Sequence, residues 1–260
     1  QRIVETKKDV LIFPRYHQLN VIRKLKKSVV EEGVGNNYLI QHTTGSGKSL
    51  SIGWLSHLLS SLYQSSTDTK RMFDTIIVVT DRRVLDKQIQ NTIKQLEQTK
   101  GVVCPVDLDS NQLKEFLEQG KSIIVTTVQK FPVISNSISE LKTKSFGVVI
   151  DEVHSSQSGE TSRHLKKSLS KSILNTFNEG EEEDLTDVDK QILDEINNRG
   201  QQSHISYFGF SGTPKNKTLE LFGRKQENGE FKSFDLYSMR QRIGEGFTLD
   251  VLKDYTTYQR

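Results

Sequence analysis

Apolar residues are spaced along the chain in two different ways. Short continuous runs of β-branched and aromatic residues, typical of strands buried on both faces, occur at 38–41, 75–80, 122–127, 146–150 and 205–210. Between these runs, apolar residues recur at helical spacing in segments 49–63, 83–98 and 112–119. In the second of these segments one face carries Leu85, Ile89, Ile93 and Leu96. Alternating strands and helices predict an α/β fold with a mostly parallel central sheet flanked by helices.

Residues 155–204 interrupt this alternation. They contain a helix candidate rich in Ser and Lys, an acidic run at 181–184 and a polar helix candidate at 188–198. We interpret this stretch as a surface-exposed insertion. A run of charges is usually a solvated face, and a partner-binding role is the less favoured alternative.

Composition excludes some classes of protein and leaves others open. The chain has 36 Lys+Arg against 33 Asp+Glu, a net charge of +3 that is too small to indicate nucleic-acid binding by itself. A single cysteine, Cys104, rules out an internal disulfide framework, and no run approaches the ~18 apolar residues of a membrane helix. We therefore expect a cytoplasmic location and no membrane partner. Neither end has the pattern of a natural terminus, so we expect a piece of a longer protein.

A glycine-rich turn follows the first predicted strand, where residues 43–49 read TTGSGKS and a helix begins. Glycines let successive backbone N–H groups surround an anion, and the helix N-terminus adds its dipole. Lys48 would reach the β- and γ-phosphates, and the Ser49 hydroxyl would hold Mg²⁺. His42 replaces the first glycine of the usual pattern, and a simple helix-capping turn is the alternative. The candidate nucleotide-binding residues are Thr44, Gly45, Ser46, Gly47, Lys48 and Ser49.

Two adjacent carboxylates, Asp151 and Glu152, follow the predicted strand 146–150. Asp151 is suited to hold Mg²⁺ through its water shell, and Glu152 to orient and deprotonate the water that attacks the γ-phosphate. Alone, such a pair is more often a helix cap, but the presence of a phosphate loop in the same chain favours a catalytic role. Together with Lys48 these are the candidate catalytic residues. His154 is either a structural histidine or a residue that couples the nucleotide site to other motifs.

Small hydroxyl residues end the last predicted strand, where residues 211–214 read SGTP. Ser211 and Thr213 could hydrogen-bond His154 or Glu152 and so relay the nucleotide state. Taken alone, this segment is an ordinary turn. Its position in the sequence after the other two motifs favours the functional interpretation.

In this order the motifs resemble those of superfamily-two helicases and translocases, and the resemblance spans most of the chain. It implies a RecA-like P-loop NTPase lobe at 36–236, preceded by opening helices at 1–35 and followed at 237–260 by the start of a connection to a second lobe. An upstream glutamine of that family reads the adenine edge, and Gln18 matches it. A neighbouring ring or the guanidinium of Arg15 would stack on the base. A bidentate amide favours adenine, so we expect ATP to be preferred over GTP.

Two more segments, 79–88 and 125–131, resemble the strand-tracking motifs of the same family. Both lie where predicted strands end. Phosphate contacts made there would hold DNA without reading its sequence, as translocation requires. Surface salt bridges are the alternative for Arg82. The candidate DNA-binding residues are Arg82, Thr127 and Lys130.

A narrower resemblance is to the restriction (HsdR-type) subunit of type I restriction enzymes. This resemblance rests on longer sequence segments: RYHQ at 15–18, TTVQKF at 126–131, DEVHSSQ at 151–157, and YSMRQ with GEGF between 237 and 247. That family uses Mg²⁺-ATP to pull double-stranded DNA past a complex with specificity and methylation subunits, and then cleaves at a distance. The resemblance implies those partners for this chain as its first motor lobe. We assign no nuclease residue here.

Two other functions stay open. The first is a helicase or remodelling motor of the same superfamily, which unwinding of a duplex would distinguish. The second is a nucleotide-gated scaffold that does not hydrolyse ATP, against which Lys48 and Glu152 argue. Arginine fingers from a second lobe contribute roughly 10³ to 10⁵ in rate in related enzymes, so we expect this chain alone to bind ATP but hydrolyse it slowly.

Overall fold

The computed structural model describes residues 13–80, 83–97, 101–106, 110–152 and 202–250. Of residues 83–88, 110–111 and 131–135 it describes the backbone alone. No helix in these ranges is long and apolar enough to cross a membrane.

The described residues form one parallel sheet of seven strands and one short hairpin. In chain order the strands are β1 (Asn37–His42), β2 (Thr75–Thr80), β3 (Val103–Pro105), β4 (Ile123–Thr127), β5 (Phe146–Ile150), β6 (Ile205–Ser211), β7 (Arg224–Lys225), β8 (Phe231–Lys232) and β9 (Asp235–Tyr237). The order in the sheet is β3-β4-β2-β5-β6-β1-β9, and β7 pairs with β8 in the hairpin. The predicted parallel sheet is confirmed. The edge strands β3 and β9 were not predicted, because three-residue strands carry too little apolar pattern to be detected.

Seven helices lie in the described part of the chain. They are α1 (Tyr16–Glu32), α2 (Lys48–Ser60), α3 (Arg83–Gln95), α4 (Ser110–Glu118), α5 (Phe131–Glu140), α6 (Asn216–Phe222) and α7 (Met239–Gly244). The three helices predicted from apolar spacing correspond to α2, α3 and α4; the start of α3 is as predicted, and the other ends differ by one to three residues.

Both faces of the sheet are covered, as a parallel sheet requires. Successive residues of β2 alternate between two cores: Ile76 and Val78 belong to one, Ile77 and Val79 to the other. The first core adds apolar residues of α1, α2 and α3, and the second those of α4, α5 and α6. Every residue of β2, β5 and β6 is buried, which explains why these strands read as continuous apolar runs.

Because the strands are parallel, their carboxyl ends meet at one edge of the sheet. Along that edge the predicted motifs follow β4, β2, β5, β6 and β1 in this order. The phosphate loop after β1 and the acidic pair after β5 are therefore separated only by the end of β6. The end of β4 lies four strand spacings of ~4.8 Å from β1, or roughly 19 Å.

Candidate nucleotide-binding site

The phosphate loop leaves β1 at His42 and enters α2 at Lys48. Gly45 has φ 77° and Gly47 has φ 84°, in the left-handed region that glycine enters without strain. The turn is closed by Ser46 N, which donates to the Thr43 carbonyl at 3.1 Å. The loop thus delivers its backbone to the N-terminus of α2, where the helix dipole favours an anion.

Lys48 joins the phosphate loop to the acidic pair. Its Nζ atom lies 2.9 Å from Oε1 of Glu152 and donates to the His42 carbonyl at 3.2 Å. The side chain is only 8% exposed. Asp151 is also buried, and its backbone N–H donates to the Val79 carbonyl at 3.0 Å. The three candidate catalytic residues therefore lie close together, although they follow two strands, β1 and β5, that do not pair with each other.

Glu152 has a backbone conformation that side chains rarely adopt. Its φ of 52° places it in the left-handed region, and among the described residues it is the one non-glycine with positive φ. Such a conformation costs on the order of 1–3 kcal/mol and persists only where the surrounding structure imposes it. The carboxylate of the residue in this conformation pairs with Lys48.

The SGTP turn lies between the two motifs. Ser211 is buried at the end of β6, and Thr213 is exposed. A Cβ atom at Gly212 would stand 3.3 Å from the Oγ1 atom of Thr44, so the turn packs against the phosphate loop. His154 lies outside the described residues, so the predicted relay from His154 to Ser211 and Thr213 stays a prediction.

His42 has a structural role that the sequence did not indicate. Its ring is buried, and Nε2 lies 2.9 Å from Oδ1 of Asp235, whose Oδ2 pairs with Nζ of Lys24 at 2.7 Å. Burial acts to raise the pKa of Asp235, but hydrogen bonds from His42 and Lys24 outweigh it and hold that pKa below its usual value. The side chain of His42, which replaces a glycine, therefore links β1 to β9, while its backbone carbonyl accepts the hydrogen bond from Lys48.

Two side chains of α1 contact the carbonyls of the phosphate loop. Gln18, 2% exposed, donates through Nε2 to Ser46 O at 3.3 Å and to Gly47 O at 3.0 Å, and its Oε1 accepts from Arg15 N at 2.8 Å. His17 Nε2 lies 3.0 Å from the same Ser46 oxygen. Both amide hydrogens of Gln18 are thus used within the protein. Adenine reading by Gln18 stays a prediction, and the structure adds a second role for this residue as a support of the loop.

The 238–247 segment, which comprises Ser238, α7 and the three residues after it, forms a further wall of the site. Glu245 accepts hydrogen bonds of 2.7 Å from the hydroxyls of Tyr16 and Tyr237. These bonds lower the pKa of Glu245, while burial and the Glu245 carboxylate raise the pKa of Tyr237 to about 12. The Arg15 guanidinium lies 3.9 Å from the centre of the Phe247 ring.

Sequence reasoning missed this wall. It assigned 237–260 to the start of a connection to a second lobe, and it used YSMRQ and GEGF in this range as part of the family resemblance, without placing either beside the phosphate loop. A local signal was available, because Ser238 and Gln241 form a capping box that marks the start of a helix. No local pattern shows that this helix lies against the phosphate loop.

Two of the predicted DNA-binding residues, Thr127 and Lys130, lie towards the other end of the same sheet edge. Thr127 ends β4, and Lys130 follows in a short 3-10 turn, where its Nζ donates to the Val106 carbonyl at 3.0 Å. Arg82 lies outside the described residues. Lys130 has two more N–H donors for a phosphate. Contact with DNA stays a prediction for all three residues.

The oxygen donors present suit Mg²⁺. This ion prefers oxygen ligands, keeps several waters, and in ATP sites takes further ligands from the phosphates. The Ser49 hydroxyl in the first turn of α2 and the Asp151 carboxylate after β5 are donors of this type. The described residues contain no cluster of three His, Cys, Asp or Glu that could hold a metal without a nucleotide.

A parallel sheet covered on both faces, with a phosphate loop after β1 and an Asp-Glu pair after β5, defines a RecA-like lobe of a P-loop ATPase. Residues 17–178 match the sequence profile of the SWI2/SNF2 ATPase. The chain belongs to that family.

The chain is also similar to endonuclease subunits of type I restriction enzymes, as its motifs indicated. It is 25% identical over 266 residues to one from Staphylococcus aureus, covering 97% of this chain and 23% of that protein. It is 26% identical over 258 residues to the HindI endonuclease subunit of Haemophilus influenzae, covering 92% of this chain and 21% of that protein. The chain therefore spans less than a quarter of the length of these relatives.

A solved structure shares the fold. It is a nuclease-deletion mutant of the type ISP restriction-modification enzyme LlaGI in complex with a DNA substrate mimic. The two superpose with a TM-score of 0.55 at 14% identity, over 93% of this chain and 22% of that chain. The fold of this chain therefore also occurs within that larger enzyme.

Proposed function

We propose that this chain is the first ATP-binding lobe of a double-stranded DNA translocase, within the endonuclease subunit of a type I restriction enzyme. The observation that carries the proposal is the 2.9 Å pair between Lys48 and Glu152, which joins the phosphate loop to the acidic pair across the end of β6. The SWI2/SNF2 ATPase match and the similarity to restriction-enzyme subunits support it.

Each residue of the site has a distinct task in this proposal. The loop N–H groups and Lys48 bind the phosphates, while Ser49 and Asp151 hold the Mg²⁺ that neutralises charge on them. Arg15 and Gln18 bind the adenine. Glu152 releases Lys48 when nucleotide arrives, and its carboxylate then orients and deprotonates the attacking water.

In this proposal, ATP hydrolysis is coupled to DNA through residues that lie at the same edge of the sheet. Ser211 and Thr213, beside the phosphate loop, relay the nucleotide state, and Arg82, Thr127 and Lys130 grip DNA phosphates at the β2 and β4 end. Phosphate contacts carry no sequence information, which suits a motor that must move along any duplex. In the complete cytoplasmic enzyme, specificity and methylation subunits would fix the recognition site, and cleavage would follow translocation.

The nucleotide site is tested by calorimetric titration of Mg²⁺-ATP, with GTP as competitor, into the chain and its Lys48→Ala variant. We expect saturable binding that prefers ATP and is lost in the variant. Equal binding by wild type and variant would contradict the assignment of the phosphate loop.

Translocation is tested by displacement of a triplex-forming strand from duplex DNA, using the restriction complex assembled with this chain in its endonuclease subunit. We expect ATP-dependent displacement without separation of the duplex, and none with the Lys48→Ala variant. Separation of the duplex would instead identify a helicase. ATP-independent DNA binding without displacement would identify a scaffold.

A further inference from the structure

Three carbonyl groups of the phosphate loop accept hydrogen bonds from side chains of two helices. Ser46 O accepts from His17 and Gln18 of α1, and Gly47 O accepts from Gln18. From α7, the guanidinium Nη1 of Arg242 donates to Thr44 O. Arg242 is the one member of this set that lies almost two hundred residues from the loop in sequence, and the function described above gives it no task.

The Arg242 guanidinium lies against Thr44 and Gly45 of the phosphate loop. A Cβ atom at Gly45 would overlap its Nη1 atom and stand 2.8 Å from Nη2 and 2.9 Å from Cζ. The guanidinium therefore occupies the space that the missing side chain of Gly45 leaves open. Its Nη2 also approaches Phe247 O at 3.4 Å, which holds the group between the loop and the end of the 238–247 segment.

The segment that carries Arg242 is itself fixed at both sides of α7. Thr43 N donates to Tyr237 O at 3.0 Å, just before the helix, and the Ser238 capping box sets its first turn. Glu245, just after the helix, is held by the hydroxyls of Tyr16 and Tyr237. Arg242 is thus presented to the loop by an anchored helix and is not a freely moving surface side chain.

The contact has a consequence for the anion side of the loop. Thr44 O and Gly45 N–H belong to one trans peptide unit, in which the two groups point in opposite directions. A cation on the carbonyl orients the N–H to the opposite side and strengthens its dipole. Phosphate loops bind anions through N–H groups of this kind.

We infer that Arg242 is a positioning residue for polyphosphate binding, which holds the Thr44–Gly45 peptide with its N–H turned towards the phosphates. This inference rests on the proposed function, since it requires that the loop binds a nucleotide. Arg242 acts through the backbone of the loop and not on the base. Its loss therefore weakens every ligand that carries a triphosphate, whichever base is attached.

The test compares Arg242→Ala with Arg240→Ala, which removes the same charge from the same helix one residue after its start. Calorimetric titrations of Mg²⁺-ATP, Mg²⁺-GTP and Mg²⁺-tripolyphosphate are run on both variants and on wild type. We expect Arg242→Ala to weaken all three by the same factor, about tenfold, as for loss of a charged hydrogen bond. The ratio of ATP to GTP affinity should stay at its wild-type value, and Arg240→Ala should bind within about twofold of wild type.

Two further measurements separate positioning from general stability. The ligand-free melting temperature of Arg242→Ala should stay within a few degrees of wild type while its affinity falls. Arg242→Lys keeps the positive charge and can still donate a hydrogen bond to Thr44 O, so it should recover part of the affinity. This variant also serves if the alanine variant does not fold. Wild-type affinity in Arg242→Ala, or equal losses in Arg242→Ala and Arg240→Ala, would overturn the inference alone. Absence of binding by the wild-type chain to all three ligands would overturn the proposed function together with it.

Discussion

The Nζ atom of Lys48 lies 2.9 Å from the Oε1 atom of Glu152, and this pair connects the two halves of the nucleotide site. Lys48 has two partners that compete: it pairs with the Glu152 carboxylate, and it is the cation expected to meet the β- and γ-phosphates of a nucleotide. In the proposed mechanism, the carboxylate must release this lysine before it can act on water.

Replacing Glu152 by Gln should separate binding from hydrolysis. The neutral amide no longer holds Lys48 by charge, so Mg²⁺-ATP affinity should equal or exceed that of wild type. Turnover at saturating duplex DNA should fall by about 100-fold or more, as for loss of a general base. Calorimetry and phosphate release measure the two effects. A loss of ATP binding as large as that of Lys48→Ala would show that Glu152 belongs to the binding machinery.

Replacing Gln18 by Ala should affect the phosphates as well as the base. Its amide holds the carbonyls of Ser46 and Gly47, so tripolyphosphate affinity should fall severalfold, and ATP affinity should fall further because adenine selectivity is also lost. Titrations with ATP, GTP and tripolyphosphate measure both effects. If tripolyphosphate binds the variant as it binds wild type, Gln18 reads the base without supporting the loop.

Replacing Phe247 by Ala should affect the base alone. The ring is 44% exposed and lies against the guanidinium of Arg15, so it is available to stack on an adenine held there. Loss of a base-stacking ring should lower ATP affinity on the order of tenfold and leave tripolyphosphate affinity unchanged.

The matched control is Leu249→Ala, which removes another exposed apolar side chain two residues further on. It should bind ATP like wild type. Equal losses of ATP affinity in the two variants would argue against stacking by Phe247. Phe247→Tyr should retain most of the wild-type affinity, since it keeps the aromatic ring.

Protonation of His17 should lower the free energy of unfolding as the pH falls below neutrality. Burial lowers the pKa of His17, the neighbouring His42 lowers it further, and the hydrogen bond to the Ser46 carbonyl opposes both. As Nε2 donates to that carbonyl, Nδ1 carries the lone pair and has no partner among the described residues. Protonation would therefore place a charge in a buried position beside His42, Tyr237 and Arg15.

The sign of this effect follows from proton binding. With a folded pKa below the unfolded value of about 6.5, the unfolded chain binds more protons, so the free energy of unfolding declines as pH falls through 6.5 and levels off below the folded pKa. Urea unfolding of wild type and His17→Gln at pH 7.5 and 5.5 measures it. The variant should lose less stability between the two pH values than wild type does. A His57→Gln variant, altered in α2, is the matched control, and identical losses in wild type and both variants would exclude His17 as the source.

Much of the fold was predictable because its signals are local. The runs at 75–80 and 146–150 are strands with the predicted bounds, since a strand buried on both faces must be apolar throughout. The glycines of the phosphate loop take the left-handed conformations that their sequence pattern indicates. Because parallel strands end at one edge, the position of both motifs directly after predicted strands already indicated that the phosphate loop and the acidic pair lie at the same edge.

Contacts between distant residues were decided by the tertiary structure alone. Tyr16 meets Glu245 across a separation of 229 residues, and Arg242 meets Thr44 across 198. His42 occupies a glycine position because β9, a three-residue strand, brings Asp235 beside it. Periodicity and motif spacing describe which face of an element is buried and which turn follows a strand. They cannot describe which short edge strand or helix packs beside a loop, because that depends on the summed packing of the whole sheet and its two layers of helices.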